Sequence, residues 1–207
     1  MNSGLRMVSA ALAVAVVGGL AAAAVSRAES AKPALVYTAD GKLAYPKDYR
    51  SWVYLSTGMD MAYVDGPPPS AHLFDSVFVD PASYAAYQKT GTWPDKTIFV
   101  LEVRKGQGRG SINKSGVYQT DLVGMEAHVK DVKRFKSGWA FFPVNGEPTN
   151  ALVQTPNCNK CHEAHGAVDT TFVQFYPTLL PKAQEMKTFS AAYLAEEEQA
   201  KAKAADR

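Results

Sequence analysis

The chain has 207 residues, a fifth of them charged, and a formal net charge of +2. A near-neutral balance with no basic stripe excludes nucleic-acid binding as a primary role. Both cysteines fall in one short motif, so if that motif is used no thiol remains for a disulfide.

Residues 1–28 carry one early cation, Arg6, then an Ala/Val/Leu/Gly run from Met7 to Val25, and Ser26-Arg27-Ala28 offers a small-x-small cleavage site. This layout predicts a secretory leader and a periplasmic or otherwise exported protein. The run nearly suffices to span a bilayer as an uncleaved anchor, but its Ala-rich composition favours cleavage. The mature chain is expected to form one domain over 29–190, with 191–207 a charged helix end or disordered tail.

In chain order, "LVYTADGKLAYPKDYRSWVYL" predicts a loop with a short helix near Asp48 and then a strand from Trp52 to Leu55. "MDMAYVDGPPPSA" is turn-rich, and "HLFDSVFVD" is strand-like. Pro81 opens a helix that Gly91 ends. "KTIFVLEVRK" is the clearest strand, dense in β-branched and aromatic residues. "GQGRGSINKSG" is no phosphate cradle, since no helix opens behind its glycines, and it reads as a hairpin connection. "DLVGMEAHVKDV" and "GWAFFPV" predict two further strands joined by a turn. Beyond them come a short helix with "CNKCH", an extended apolar "FVQFYPTLL", and a helix from Ala183 to about Glu198. The fold class is α+β: an antiparallel β-sheet with a few helices, and the Cys-x-x-Cys-His motif near the C-terminal end.

Cys158, Cys161 and His162 admit three readings. A structural zinc ion needs four ligands, usually as two separated pairs, and adjacent Cys161 and His162 could hardly share one ion. A thioredoxin-like redox pair normally follows the first strand of a parallel β-α-β unit, whereas this motif comes late in an antiparallel chain. Covalent haem satisfies every constraint: each thiol adds to one vinyl group, and His162 is placed under the iron as proximal ligand. Export agrees, because c-type haem is assembled outside the cytoplasm.

The sixth iron position is harder to read. Met186 is the single methionine after the motif, and it or a distal histidine, His72 or His128, would make a six-coordinate electron carrier. All three have ordinary structural alternatives. His165 is expected to cap its helix or meet a propionate. Phe78, Trp93, Trp139, Phe141 and Phe142 are equally candidates for the pocket wall and for sheet core. Lys130, Lys133, Arg134 and Lys136 could dock an acidic redox partner, although such a run is usually a solvated face.

The ordered segments "YPKDYRSWVYL", "VFVDPASYAAYQKTGTWPDKTIFVLEVR", "GMEAHVKD", "GWAFF", "CNKCHEAH" and "FVQFYP" resemble the cytochrome P-460 family, which includes the β-sheet cytochromes c-prime-beta. The resemblance spans nearly the whole mature chain. It implies a β-rich domain with one haem c, commonly a homodimer, whose five-coordinate iron meets nitric oxide, carbon monoxide or hydroxylamine. The hydroxylamine-oxidising branch links a lysine to the porphyrin; at that position this chain has Leu101, and no lysine occurs between Lys96 and Lys105. Strand alternation puts Phe99, Leu101 and Val103 on one face, so Phe99 and Leu101 are expected to touch the haem with an apolar surface. The expectation is a ligand-binding or redox haem protein, with hydroxylamine oxidation weak because an apolar strand offers no group to manage protons.

Overall fold

The computed structural model describes residues 33–63, 66–67 and 70–205; the expected leader lies outside them. Five strands, β1 (Val53–Met59), β2 (Leu73–Val79), β3 (Ile98–Gly110), β4 (Asn113–Lys130) and β5 (Trp139–Pro143), make one antiparallel sheet in sequential order. The helices are α1 (Pro81–Thr90), α2 (Thr155–His165), α3 (Leu180–Met186) and α4 (Ala191–Ala205). The α+β class read from the sequence is the class observed.

Local chemistry sets these boundaries. The Asp80 carboxylate caps α1 by accepting from the Ser83 N–H at 2.9 Å, and it also accepts from the Ile98 N–H at 3.2 Å. One side chain thus starts the helix and fastens it to β3. Gly91 ends α1 at φ 70°, a left-handed conformation that glycine adopts without a Cβ penalty.

Period-two alternation gives the sheet two dissimilar faces. On the first, Leu55, Val79, Phe99 and Trp139 pack beneath Val168, Val173 and Leu179 from the segment after α2. On the second, Ile98, Ala127, Val129 and Phe142 pack against Leu43, with Tyr37 and Tyr45 beside it.

Three details differ from the sequence reading. The glycine-rich stretch is mostly strand, because β3 continues to Gly110 and β4 resumes at Asn113. "FVQFYPTLL" is not extended: a 3-10 turn occupies Val173–Phe175, and Pro181 lies in the first turn of α3. The helix expected over 183–198 is two helices. Lys187 turns left-handed at φ 56°, the Thr188 hydroxyl donates to the Gly91 carbonyl at 2.7 Å, and Ser190 Oγ accepts from the Tyr193 N–H at 3.1 Å to start α4. The last helix runs to Ala205 with no buried residue.

Candidate functional site

Helix α2 carries the motif and is pinned to the sheet by a residue between the cysteines. Asn159, its one buried residue, donates from Nδ2 to the Trp139 carbonyl at 3.0 Å and to Ser137 Oγ at 2.7 Å. The Thr155 hydroxyl oxygen accepts from the Phe141 N–H at 3.3 Å. Both anchors use main-chain groups of β5, the edge strand, so the helix is fastened along that edge of the sheet.

His162 is fixed in tautomer as well as position. Its Nδ1 lies 2.9 Å from the Thr170 carbonyl, and a carbonyl only accepts, so Nδ1 carries the proton and Nε2 keeps its lone pair. Burial holds the imidazole below its ordinary pKa, keeping it neutral. The carbonyl is presented by a turn with Asp169 at φ 49° and Thr170 at φ 60°, a costly conformation for a β-branched residue. The Asp169 carboxylate is held by the Lys130 ammonium, and Val168 and Thr171 bridge across the turn.

A cavity of about 400 Å³ is lined by this ring and by the sheet, with Phe99, Leu101, Glu126, His128 and Phe141 in its wall. Strand register builds that wall, since Phe99 pairs with His128, Leu101 with Glu126, and His128 with Phe141. His128 stacks on Phe141 at a centroid distance of 4.1 Å, and its Nε2 is buried without a partner. The surface is not purely apolar. Burial pushes the Glu126 carboxyl up, and burial followed by the negative charge of Asp60 pushes up that of Asp75, another wall residue. The expectation that no group here could manage protons is therefore corrected.

The expected site residues separate clearly. His162, Leu101 and Phe99 meet at the cavity. Cys158 and Cys161 are free thiols. Neither is among the residues lining the cavity, and burial, then the Glu126 charge, raises the Cys158 pKa. His128 is not across the cavity from His162; the two rings touch at 4.8 Å. His72 bonds Asp60 at 2.5 Å and is absent from the wall. Met186 lies against Gly91 at the end of α1, also off the wall.

Of the aromatic candidates, Phe141 lines the cavity. Trp93 and Trp139 are core on the same face, whereas Phe78 and Phe142 belong to the opposite face. His165 neither caps its helix nor turns to the cavity; its Nδ1 meets the Glu196 carboxylate on α4 at 2.9 Å. In the basic cluster, Lys130 is tied to Asp169, and Arg134 to the Gly41 carbonyl and the Tyr37 ring.

Asn159, Thr170, Glu126, Asp75 and Met61 were not singled out from sequence. Glu126 was within reach, because it is two residues from His128 on a strand and therefore shares its face.

A haem group fits this arrangement. The cavity volume lies within the roughly 300–1,000 Å³ of cofactor sites, its walls are mainly apolar and aromatic, and it offers one neutral imidazole with a free nitrogen. An orphaned imidazole nitrogen, His128 Nε2, lies in the same wall. Comparison with curated proteins found no match. The family model Cytochrome P460 matches residues 46–173, more than half of the chain, from ahead of β1 through the Cys158–His162 motif into the 3-10 turn. The chain belongs to the cytochrome P460 family of haem-binding cytochromes.

Proposed function

We propose that this is an exported cytochrome with one c-type haem, joined through thioethers to Cys158 and Cys161 and bound axially by His162 Nε2. Its other face takes nitric oxide or a related small nitrogen species, or supports their redox chemistry. The single observation that carries the reading is His162, whose Nδ1–H is committed to the Thr170 carbonyl while its ring stands in the cavity wall. When bound, the haem supplies an iron centre for small-ligand binding and electron exchange.

The chain's own residues supply the rest. The strained Thr170 turn holds the imidazole in one tautomer, and Asn159 holds the helix that carries the thiols. Phe99, Leu101 and Phe141 give the cavity wall an apolar patch, and Leu101 offers no nitrogen to a covalent cross-link. Glu126 and Asp75 have raised pKa values and can hold or release a proton at a bound ligand.

The ferrous optical spectrum with and without carbon monoxide tests the open face. The expected result is a high-spin spectrum that changes fully on adding carbon monoxide. A low-spin spectrum indifferent to the gas would mean that a protein side chain occupies the sixth position, which favours the electron-carrier reading.

A further inference from the structure

Met61, just after β1, is half exposed at 47% and also lines the cavity, so it stands at the mouth. Its position depends on a missing side chain. Gly58 pairs with Asp75 in the sheet, and a Cβ built on it would fall 2.2 Å from Met61 Sδ and 2.7 Å from Met61 Cγ. The third nearest atom is Met61's own Cβ at 3.9 Å, so Met61 alone supplies the close contacts there. The strand thus carries a notch whose occupant is the thioether. Gly58 is also a wall residue, so notch and cavity are continuous.

We propose that the Gly58–Met61 pair is a size filter for the small molecules entering this cavity, an inference that rests on the cavity being the ligand face. Methionine suits the role. Its unbranched, polarisable side chain fills irregular space yet swings aside at low cost, where a branched or aromatic residue would hold one shape. The notch gives the thioether a defined resting place beside Asp75, so the opening is set by how far the side chain lifts out of it. A diatomic passes with little displacement, and a branched ligand requires the thioether to leave the notch. Two other exposed methionines, Met59 and Met186, lie outside the wall and provide internal controls.

The test uses the haem-loaded protein and two probes, carbon monoxide and tert-butyl isocyanide, with on-rates measured by flash photolysis or stopped flow. Met61→Ala should raise the isocyanide rate relative to the carbon monoxide rate by about 10-fold, the scale of discrimination that a methylene or two provides in an apolar pocket. Met61→Phe should shift the ratio the other way, and Met59→Ala should leave it unchanged. Gly58→Ala should change the ratio when Met61 is present and have no effect in the Met61→Ala background, a coupling that a merely structural role would not produce. An unchanged ratio in Met61→Ala and Met61→Phe overturns the filter while leaving the ligand face intact. A low-spin wild type that becomes high-spin in Met61→Ala also overturns it, since Met61 would then be an iron ligand. A wild type that binds neither probe, with a spectrum that Met61→Ala leaves unchanged, removes the ligand face and the filter together.

Discussion

Two glutamates on neighbouring strands occupy opposite faces of the same sheet. Glu102 and Glu126 sit one step apart in register, Leu101 pairing with Glu126 and Glu102 with Met125. Glu102 has no exposed surface and is fully partnered: it accepts from Arg50 at 2.7 and 2.9 Å, from Arg104 Nε at 2.6 Å, and from the Tyr49 hydroxyl. Burial by itself would raise its pKa, but the bonds from Arg104, Tyr49 and Arg50 outweigh it and hold the carboxyl at about 2. Among the described residues Glu126 has no such set of donors, and burial moves its pKa upward. One face of the sheet commits its carboxylate to holding the fold. The other sets its carboxyl in a cavity wall that also holds an orphaned imidazole nitrogen.

Mutation breaks this comparison most sharply. Glu102→Ala should cost about 3 kcal/mol, because it strips a buried hydroxyl and two guanidinium groups of their common partner. Glu126→Gln should stay within about 0.5 kcal/mol of wild type or gain slightly, since a desolvated carboxylate without donors contributes nothing to stability. Urea unfolding of both variants decides, and equal losses would abolish the distinction between the faces.

The pH dependence sharpens the same contrast, with opposite signs. The folded pKa of Glu102 is depressed to about 2, so its contribution is complete above the ordinary carboxyl range and is lost as pH falls from there toward 2. Glu126 and Asp75 have raised folded pKa values, so their contribution is complete below the ordinary range and is lost as pH rises through the raised values. Glu102→Gln should therefore flatten the acid limb of the stability profile, and Glu126→Gln the limb on the other side. If each substitution flattens the other limb, the assignments are reversed.

An effect smaller than that of Glu102→Ala, and opposite in sign, is expected at the turn that orients His162. Thr170→Gly relieves a left-handed residue and removes a hydroxyl that is buried without a partner, and it should raise stability by about 1 kcal/mol. The Thr170 carbonyl remains in place, so the haem spectrum should not move. Loss of stability would show that the threonine side chain matters to the turn.

The sheet was legible because its signals are local. Pro81 and Gly91 bracket α1, and β-branched and aromatic residues mark β3. The short helix that carries the Cys158–His162 motif was legible as well. What sequence reading missed depends on contacts between distant segments. Thr170 matters through a carbonyl whose position is set by a strained turn, and Asn159 through atoms of β5. Met186 looked eligible as a ligand because it follows the motif, but Lys187 and Thr188 turn the chain toward Gly91 and carry it off the wall. His128 looked eligible as a lone strand histidine, and only the register shows it packed beside His162.

In the proposed haem-loaded protein, Cys158 and Cys161 are the sole covalent tethers of one haem, and His162 adds its axial bond to the iron. Proteolysis of the haem-loaded protein followed by mass spectrometry tests it directly. The expected result is a single haem-bearing peptide containing Cys158 to His162 with both cysteines modified, and no haem released by acidified acetone. Extractable haem, or a haem peptide joined to a second segment through a lysine, would contradict the claim.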